Sequence, residues 1–244
     1  MNQTLDELCR RKSTRSFTDQ KISLEDKQLI LMAAAMAPTA GNQQLYTILD
    51  ITDPVLRERL SETCDHQPFI AKAQMVLIFT ADCKKWYDAY IEAGMTPREP
   101  GVGDFLLAVE DAVIAAQNAV TAAESLGIGS CYIGDIMENY EIHKELLSLP
   151  KYVFPAAMLV FGYPSPTIEN IKKPKRVAQN FIVHENGYQA MNGQTLREMW
   201  RERCGEKGFD EYIRAFGLRK YESDFSREMT RSVMAAITEE FMQK

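Results

Sequence analysis

Three cations and three hydroxyls fall within seven residues at Arg11-Lys12-Ser13-Thr14-Arg15-Ser16-Phe17. Guanidinium and ammonium groups offer fixed donors to phosphate oxygens, and short hydroxyls can complete such a fork. The same composition also describes a solvated basic turn, and the segment alone does not choose between the two. Lys172-Lys173-Pro174-Lys175-Arg176 carries the same pair of readings. The chain has a formal charge of −6. Its overall field therefore repels nucleic acid, and any anion must be held by a local cluster such as these. No nucleic-acid partner is expected.

Other chemistries find less support. There is no Gly-x-x-x-x-Gly-Lys-Ser/Thr phosphate loop and no Gly-x-Ser-x-Gly nucleophile elbow. Gly127-Ile128-Gly129-Ser130-Cys131-Tyr132 begins like a dinucleotide fingerprint, but Tyr132 stands where the third glycine belongs and a helix precedes it. The three histidines, His66, His143 and His184, have no metal-ligand spacing with the cysteines at 9, 64, 83, 131 and 204, so no metal site is expected. An odd number of widely spaced thiols suits a reducing cytoplasm. The N-terminus is acidic and polar, without a secretory pattern. No apolar run approaches the roughly 18 unbroken residues of a membrane helix, so no membrane partner is expected.

The elements that must position these residues show in the capping and periodic patterns. Thr4-x-x-Glu7 and Ser23-x-x-Asp26 each place a hydroxyl three residues before a carboxylate, the capping-box spacing, and the second opens a helix to about Met36. Asp53-Pro54 starts another, reaching about Cys64. Leu45–Ile51, Met75–Thr80 and Ala156–Phe161 are strand candidates, with Gly129–Ile133 a weaker fourth. Asp104–Leu126 is the longest regular segment, rich in alanine on more than one face and closed by Gly127; such a helix belongs in a core or at a subunit interface. Trp86–Asp104, with Pro97, Pro100, Gly101 and Gly103, reads as a loop able to form a lid. Helices and strands mix without clean βα alternation, which favours α+β.

Six segments, in order, resemble motifs of the nitroreductase/flavin reductase superfamily, particularly its larger NADPH-dependent branch. They are Arg11–Phe17; Ala37-Pro38-Thr39-Ala40-Gly41-Asn42-Gln43-Gln44; His66-Gln67-Pro68-Phe69-Ile70; Ala122–Gly129 followed by Tyr132-Ile133-Gly134; Lys173-Pro174-Lys175; and Val183-His184-Glu185-Asn186. The resemblance covers roughly residues 5–190.

The resemblance implies an α+β fold, with a central, mostly antiparallel sheet flanked by helices and the long buried helix at a homodimer interface. It implies an FMN-binding core over residues 1–190, and a helical extension over 191–244 that wraps the partner subunit or contributes to nucleotide binding. Arg11, Ser13 and Lys175 would hold the FMN phosphate, with Lys12 beside them, while Arg15 and Lys173 would lie toward the pyrimidine edge. Pro38, Thr39 and Asn42 would belong to a loop closing over the ring; Asn42 reads equally as a turn residue. Gln67 would meet the ring's polar edge, and Tyr132, Ile133 and Gly134 would approach N5. Arg201, Arg203, Lys207, Arg214, Arg219 and Lys220 are candidates for the 2′-phosphate of NADPH. The implied activity is NAD(P)H-dependent reduction of a small acceptor, such as a nitroaromatic, quinone or free flavin, by ping-pong hydride transfer through flavin N5. The cofactor would perform the chemistry, with no catalytic side chain; a non-catalytic flavin-binding or regulatory protein is the alternative. Departures from the family pattern include Arg11 for His, lysine for arginine at 12 and 175, and Thr39 for Ser.

Overall fold

The computed structural model describes residues 2–169 and 171–242. These form two compact units: one comprises the residues up to Ile171 together with those from Glu228 onward, and the other is Lys172–Arg227.

The first unit is built on four strands, β1 (Tyr46–Asp50), β2 (Met75–Asp82), β3 (Gly129–Ile133) and β4 (Val153–Gly162). They lie in the order β1-β2-β4-β3, every pair antiparallel. The expected α+β class with a central antiparallel sheet is what the chain adopts. All residues of β2 and β4 are buried, because both faces of the sheet are covered. Side chains alternate across the pleat. Leu77, Phe79, Leu159 and Phe161 enter one apolar cluster, and Val76, Ile78, Met158 and Val160 the other.

Pro155 explains why β4 looked shorter in the sequence. The pairing slips between Phe79, opposite Ala157, and Thr80, opposite Pro155, so the proline sits at a bulge. The strand therefore starts at Val153, three residues earlier than its apolar run suggested.

The flanking helices of this unit are α1 (Gln3–Arg10), α2 (Leu24–Ala35), α3 (Pro54–Thr63), α4 (Phe69–Lys72), α5 (Lys84–Glu92), α6 (Val102–Ser125), α7 (Tyr140–Leu146) and α8 (Pro166–Glu169). Ser23 and Asp53 cap α2 and α3 as expected, accepting from the amides of Asp26 and Val55. At α1 the expected capping box is not formed. Asn2 caps the helix instead, its side chain accepting from Leu5 N, and Thr4 and Glu7 lie inside it. Of the expected loop Trp86–Asp104, residues 86–92 are helical as part of α5 and 102–104 open α6; the irregular stretch is only 93–101. α6 begins at Val102 because the Asp104 carboxylate reaches back to Gly101 N at 2.8 Å. Gly127, at φ +73°, closes it: Gly127 N donates to Glu124 O and Ile128 N to Ala123 O, a Schellman ending.

By length and composition α6 would suffice to cross a membrane, which the sequence reading did not anticipate. Its alanine stripe, Ala108, Ala112, Ala115, Ala116 and Ala119, is instead buried in the first apolar cluster.

The last helices are α9 (Gly193–Cys204), α10 (Phe209–Lys220) and α11 (Asp224–Glu240). The residues of α11 from Glu228 on belong to the first unit. Ser232 accepts from Tyr140 N, and Ala236 and Phe241 join the core. Glu240 is buried and accepts from Tyr140 Oη and Tyr152 N, both at 2.9 Å, and from Lys144 Nζ. Burial raises its pKa, but these donors together outweigh that and hold it below the usual glutamate range.

Candidate functional site

The Arg11–Phe17 segment lies as an extended ribbon along the ends of β3 and β4. Ser13 bridges Ser130 in parallel, Thr14 N donates to Ser130 O at 2.9 Å, and Phe17 bridges Pro164. Two glycines make this approach possible. A Cβ on Gly129 would collide with the Thr14 side chain, and one on Gly162 would come within 2.7 Å of the Phe17 ring. The two are also register partners across β3 and β4, so the ribbon crosses the sheet where both strands lack side chains.

Extended backbone alternates its side chains. Thr14 is buried behind the ribbon. Lys12 donates from Nζ to the carbonyls of Ile168 and Ile171, and lines a hollow with Arg10, Glu124 and Gly129. Arg11, Ser13 and Arg15 turn toward β3. Burial raises the Cys131 thiol pKa, and Arg15, Ser13 and Arg11 partly offset it. Burial likewise raises Tyr132, to about 12, against the pull of Arg11. Arg11 Nη1 is buried without a hydrogen-bond partner among the described residues. A buried guanidinium N–H without a partner costs a few kcal/mol unless an acceptor meets it. This group fits an anionic ligand.

The loop after α2 is a second anchored element. Pro38 and Asn42 are exposed and Thr39 half-buried. Gly41, Asn42 and Gln44 have φ of 56°, 57° and 51°, left-handed positions interrupted only by Gln43, and such a backbone holds only when fixed from outside. Asn42 is therefore a turn residue, whatever else its amide does. The buried Asp111 of α6 does the fixing, accepting from Ala40 N at 2.8 Å and Leu45 N at 3.0 Å. Trp86 Nε1 donates to Gln43 O at 2.7 Å, and Thr39 Oγ1 accepts from Gln44 N. Sequence reasoning missed Asp111, although an acid on an otherwise alanine stripe is a signal, since such groups are buried only when paired.

Gln67 follows a left-handed pair, Asp65 and His66, and its side-chain amide donates to Cys64 O at 2.9 Å. Ile133 is buried at the end of β3. Gly134 is exposed, with open space where a Cβ would stand. Lys173 and Lys175 belong to the second unit, where Lys175 pairs with Glu202 at 3.0 Å, both well exposed. Within that unit Arg176, Arg201 and Arg203 border a cavity of about 270 Å³ with Glu198 and Glu202. His184 caps its own turn, accepting from Gln189 N at Nδ1.

The pattern that defines the Nitroreductase family matches residues 8–163, from just before the basic ribbon to just beyond β4. The chain belongs to the nitroreductase family. Among its relatives, the oxygen-insensitive NADPH nitroreductase of Salmonella typhimurium is 36% identical over 196 residues, 80% of this chain and 79% of that one. The FMN reductase (NADPH) of Bacillus subtilis is 32% identical over 219 residues, 85% and 87% of the two chains. The structure of B. megaterium NfrA2 superposes with a TM-score of 0.83 at 28% identity, covering 100% of both chains. The expected nitroreductase membership and nitroreductase-like fold are both confirmed.

Proposed function

We propose that this protein is an NAD(P)H-dependent oxidoreductase that binds FMN against the Arg11–Phe17 ribbon and passes electrons from a nicotinamide to a small acceptor. The observation that carries the reading is the convergence of Arg11, Ser13 and Arg15 on β3, with Arg11 Nη1 buried and unpartnered. The names of the two relatives, an NADPH nitroreductase and an NADPH-dependent FMN reductase, support it.

FMN, when bound, supplies a ring that accepts a hydride and gives it up again. The chain's own residues position that ring and set its electrostatics. Arg11 and Ser13 donate to the phosphate, and Arg15 places a fixed positive charge where reduction leaves negative charge. The strained loop carrying Pro38, Thr39 and Asn42, locked by Asp111, closes over the ring and excludes water. Gly134, with nothing above its Cα, permits close approach of the backbone. Lys12, Gln67, Tyr132, Ile133, Lys173 and Lys175 remain binding candidates on the resemblance. Nicotinamide and acceptor take turns at one open face, which is a ping-pong cycle needing no acid–base side chain.

A homodimer agrees with the half-exposed apolar side chains of α6, Leu106, Val113 and Ile114, together with Met32 of α2 and the exposed Met36 just beyond its end. The cavity bordered by Arg176, Arg201 and Arg203 is a candidate for the nucleotide's phosphate. A cytoplasmic setting agrees with the lack of any disulfide among the described cysteines.

The test is the colour and reducibility of the purified protein. Flavin absorbance, bleached anaerobically by NADPH or NADH, is expected, and comparing the two gives the nucleotide preference. A colourless protein that takes up no added FMN overturns the proposal. Uptake of FMN without bleaching by either nucleotide would favour the non-catalytic flavin-binding alternative.

A further inference from the structure

The loop that runs from Thr39 into β1 is held from two sides by groups of opposite kind. On the α6 side the Asp111 carboxylate takes two of its amides, those of Ala40 and Leu45. On the α5 side two consecutive residues take its carbonyls. Trp86 Nε1 donates to Gln43 O at 2.7 Å, and Lys85 Nζ donates to Gln44 O at 3.3 Å and to Tyr46 O at 2.6 Å. An ionised carboxylate only accepts, whereas indole and ammonium groups only donate. Neither helix can therefore do the other's part.

These bonds fall where the backbone needs them. Gln44 is left-handed at φ 51°, an uncommon conformation for a residue with a long side chain. Its amide donates to Thr39 Oγ1 and its carbonyl accepts from Lys85. Gln43, in a right-handed helical conformation between the left-handed Asn42 and Gln44, gives its carbonyl to Trp86. Freeing either carbonyl loosens the backbone on which the tip, Gly41 and the exposed Asn42, is mounted.

α5 is itself fastened at both ends. Asp82, the last residue of β2, is buried, and its carboxylate accepts from Lys85 N at 3.3 Å and from Thr47 Oγ1 of β1 at 2.6 Å. Cys83 N donates to Tyr152 O, and the Tyr87 ring meets Tyr152 edge-on at 5.3 Å. Beyond α5 the 93–101 stretch returns to α6, where Arg98 pairs with Asp104 through two hydrogen bonds. Donors carried on an element already fixed in this way lose little freedom when they bind.

We propose that Lys85 and Trp86 are positioning residues, which set how closely the loop of Pro38, Thr39 and Asn42 covers the flavin ring without touching the cofactor themselves. This role rests on the loop closing over that ring, as proposed for the cofactor site.

Trp86 is 37% exposed and no residue of α5 is buried, so Trp86→Phe removes the indole N–H without opening the core. Hydrogen exchange of the cofactor-free protein follows the loop alone. The amides of Gln43, Gln44 and Leu45 should exchange about fivefold faster in Trp86→Phe. Trp86→His, which keeps a ring N–H, should restore part of the protection. Lys85→Met keeps the stem, loses the ammonium and should act in the same direction; it serves if the tryptophan variants disturb folding. Tyr90→Phe, one turn further along α5, should change nothing. In the FMN-loaded protein, iodide should quench flavin emission with a steeper slope in Trp86→Phe and Lys85→Met than in the parent. Exchange unchanged in both variants overturns the proposal, as does equal acceleration by Tyr90→Phe. Faster exchange with an unchanged iodide slope also overturns it, and places the loop away from the ring. If the protein takes up no FMN, the cofactor reading fails and takes the positioning role with it, while the exchange rates still show whether α5 holds the loop.

Discussion

The two units of this chain carry basic clusters of similar composition in opposite surroundings. Arg11 sits on a ribbon sewn to β3, with one guanidinium nitrogen buried and unmatched. Lys175 lies in a unit whose only buried described residue is Cys204, and its ammonium already meets Glu202 in an exposed pair. An exposed pair is close to neutral energetically, whereas a buried N–H without an acceptor is costly enough to demand a ligand. Composition alone made the clusters equivalent; burial separates them.

The sharpest way to test that separation is to loosen the scaffold of the first unit. Asp111→Ala strips the buried acceptor from Ala40 N and Leu45 N. At about 2 kcal/mol for each orphaned amide, urea unfolding should show a loss of about 4 kcal/mol. A loss below about 1 kcal/mol would mean that the loop is held by something else.

Next comes a pH effect confined to the first unit. Glu138 is buried, and burial, helped by Asp135, Asp65 and Glu228, raises its pKa to about 7. A carboxyl with a raised folded pKa binds more protons folded than unfolded, so stability falls as pH climbs from the ordinary glutamate value toward 7. Glu138→Gln should therefore gain stability relative to the parent across that window, by roughly 3 kcal/mol at its upper end. Parallel pH–stability curves for the two proteins would refute this.

The cofactor comparison is smaller. Arg11→Ala should weaken FMN retention about tenfold, read by fluorescence on dilution, with no loss of apoprotein stability because the removed nitrogen has no protein partner. Smallest of all, Lys175→Ala should change the unfolding free energy by less than about 1 kcal/mol. If it lowered FMN retention as far as Arg11→Ala, the contrast between the two clusters would collapse.

Much of the first unit was legible before the structure. The strands read as short β-branched and apolar runs, and Ser23, Asp53 and Gly127 marked helix ends by their own hydrogen-bonding chemistry. What failed was decided by context. Asn2 outcompeted Thr4 for the cap; Pro155 hid the start of β4 because a bulge excuses its missing N–H; and residues 86–92 belong to a helix despite a loop-like neighbourhood of prolines and glycines. In the site, the residue types of the ribbon were visible, but not the split between Lys12, spent on backbone carbonyls, and Arg11, left unsatisfied. Alternation along an extended strand would have given that split had the ribbon's pairing with Ser130 been known. Asp111 and Glu240 act through contacts 66 to 71 and 88 to 100 residues away in sequence, which no local pattern encodes.

The second unit leaves the first at Ile171 and returns at Glu228, where α11 is fastened by Ser232 and Glu240. Such an excursion behaves thermodynamically as a closed loop: each doubling of its length adds only about 0.6 kcal/mol of closure entropy. The core can thus carry inserts of very different size between the same two anchor points at almost constant cost. This part of the chain is consequently free to diverge in length and sequence while the sheet and its basic ribbon stay as they are.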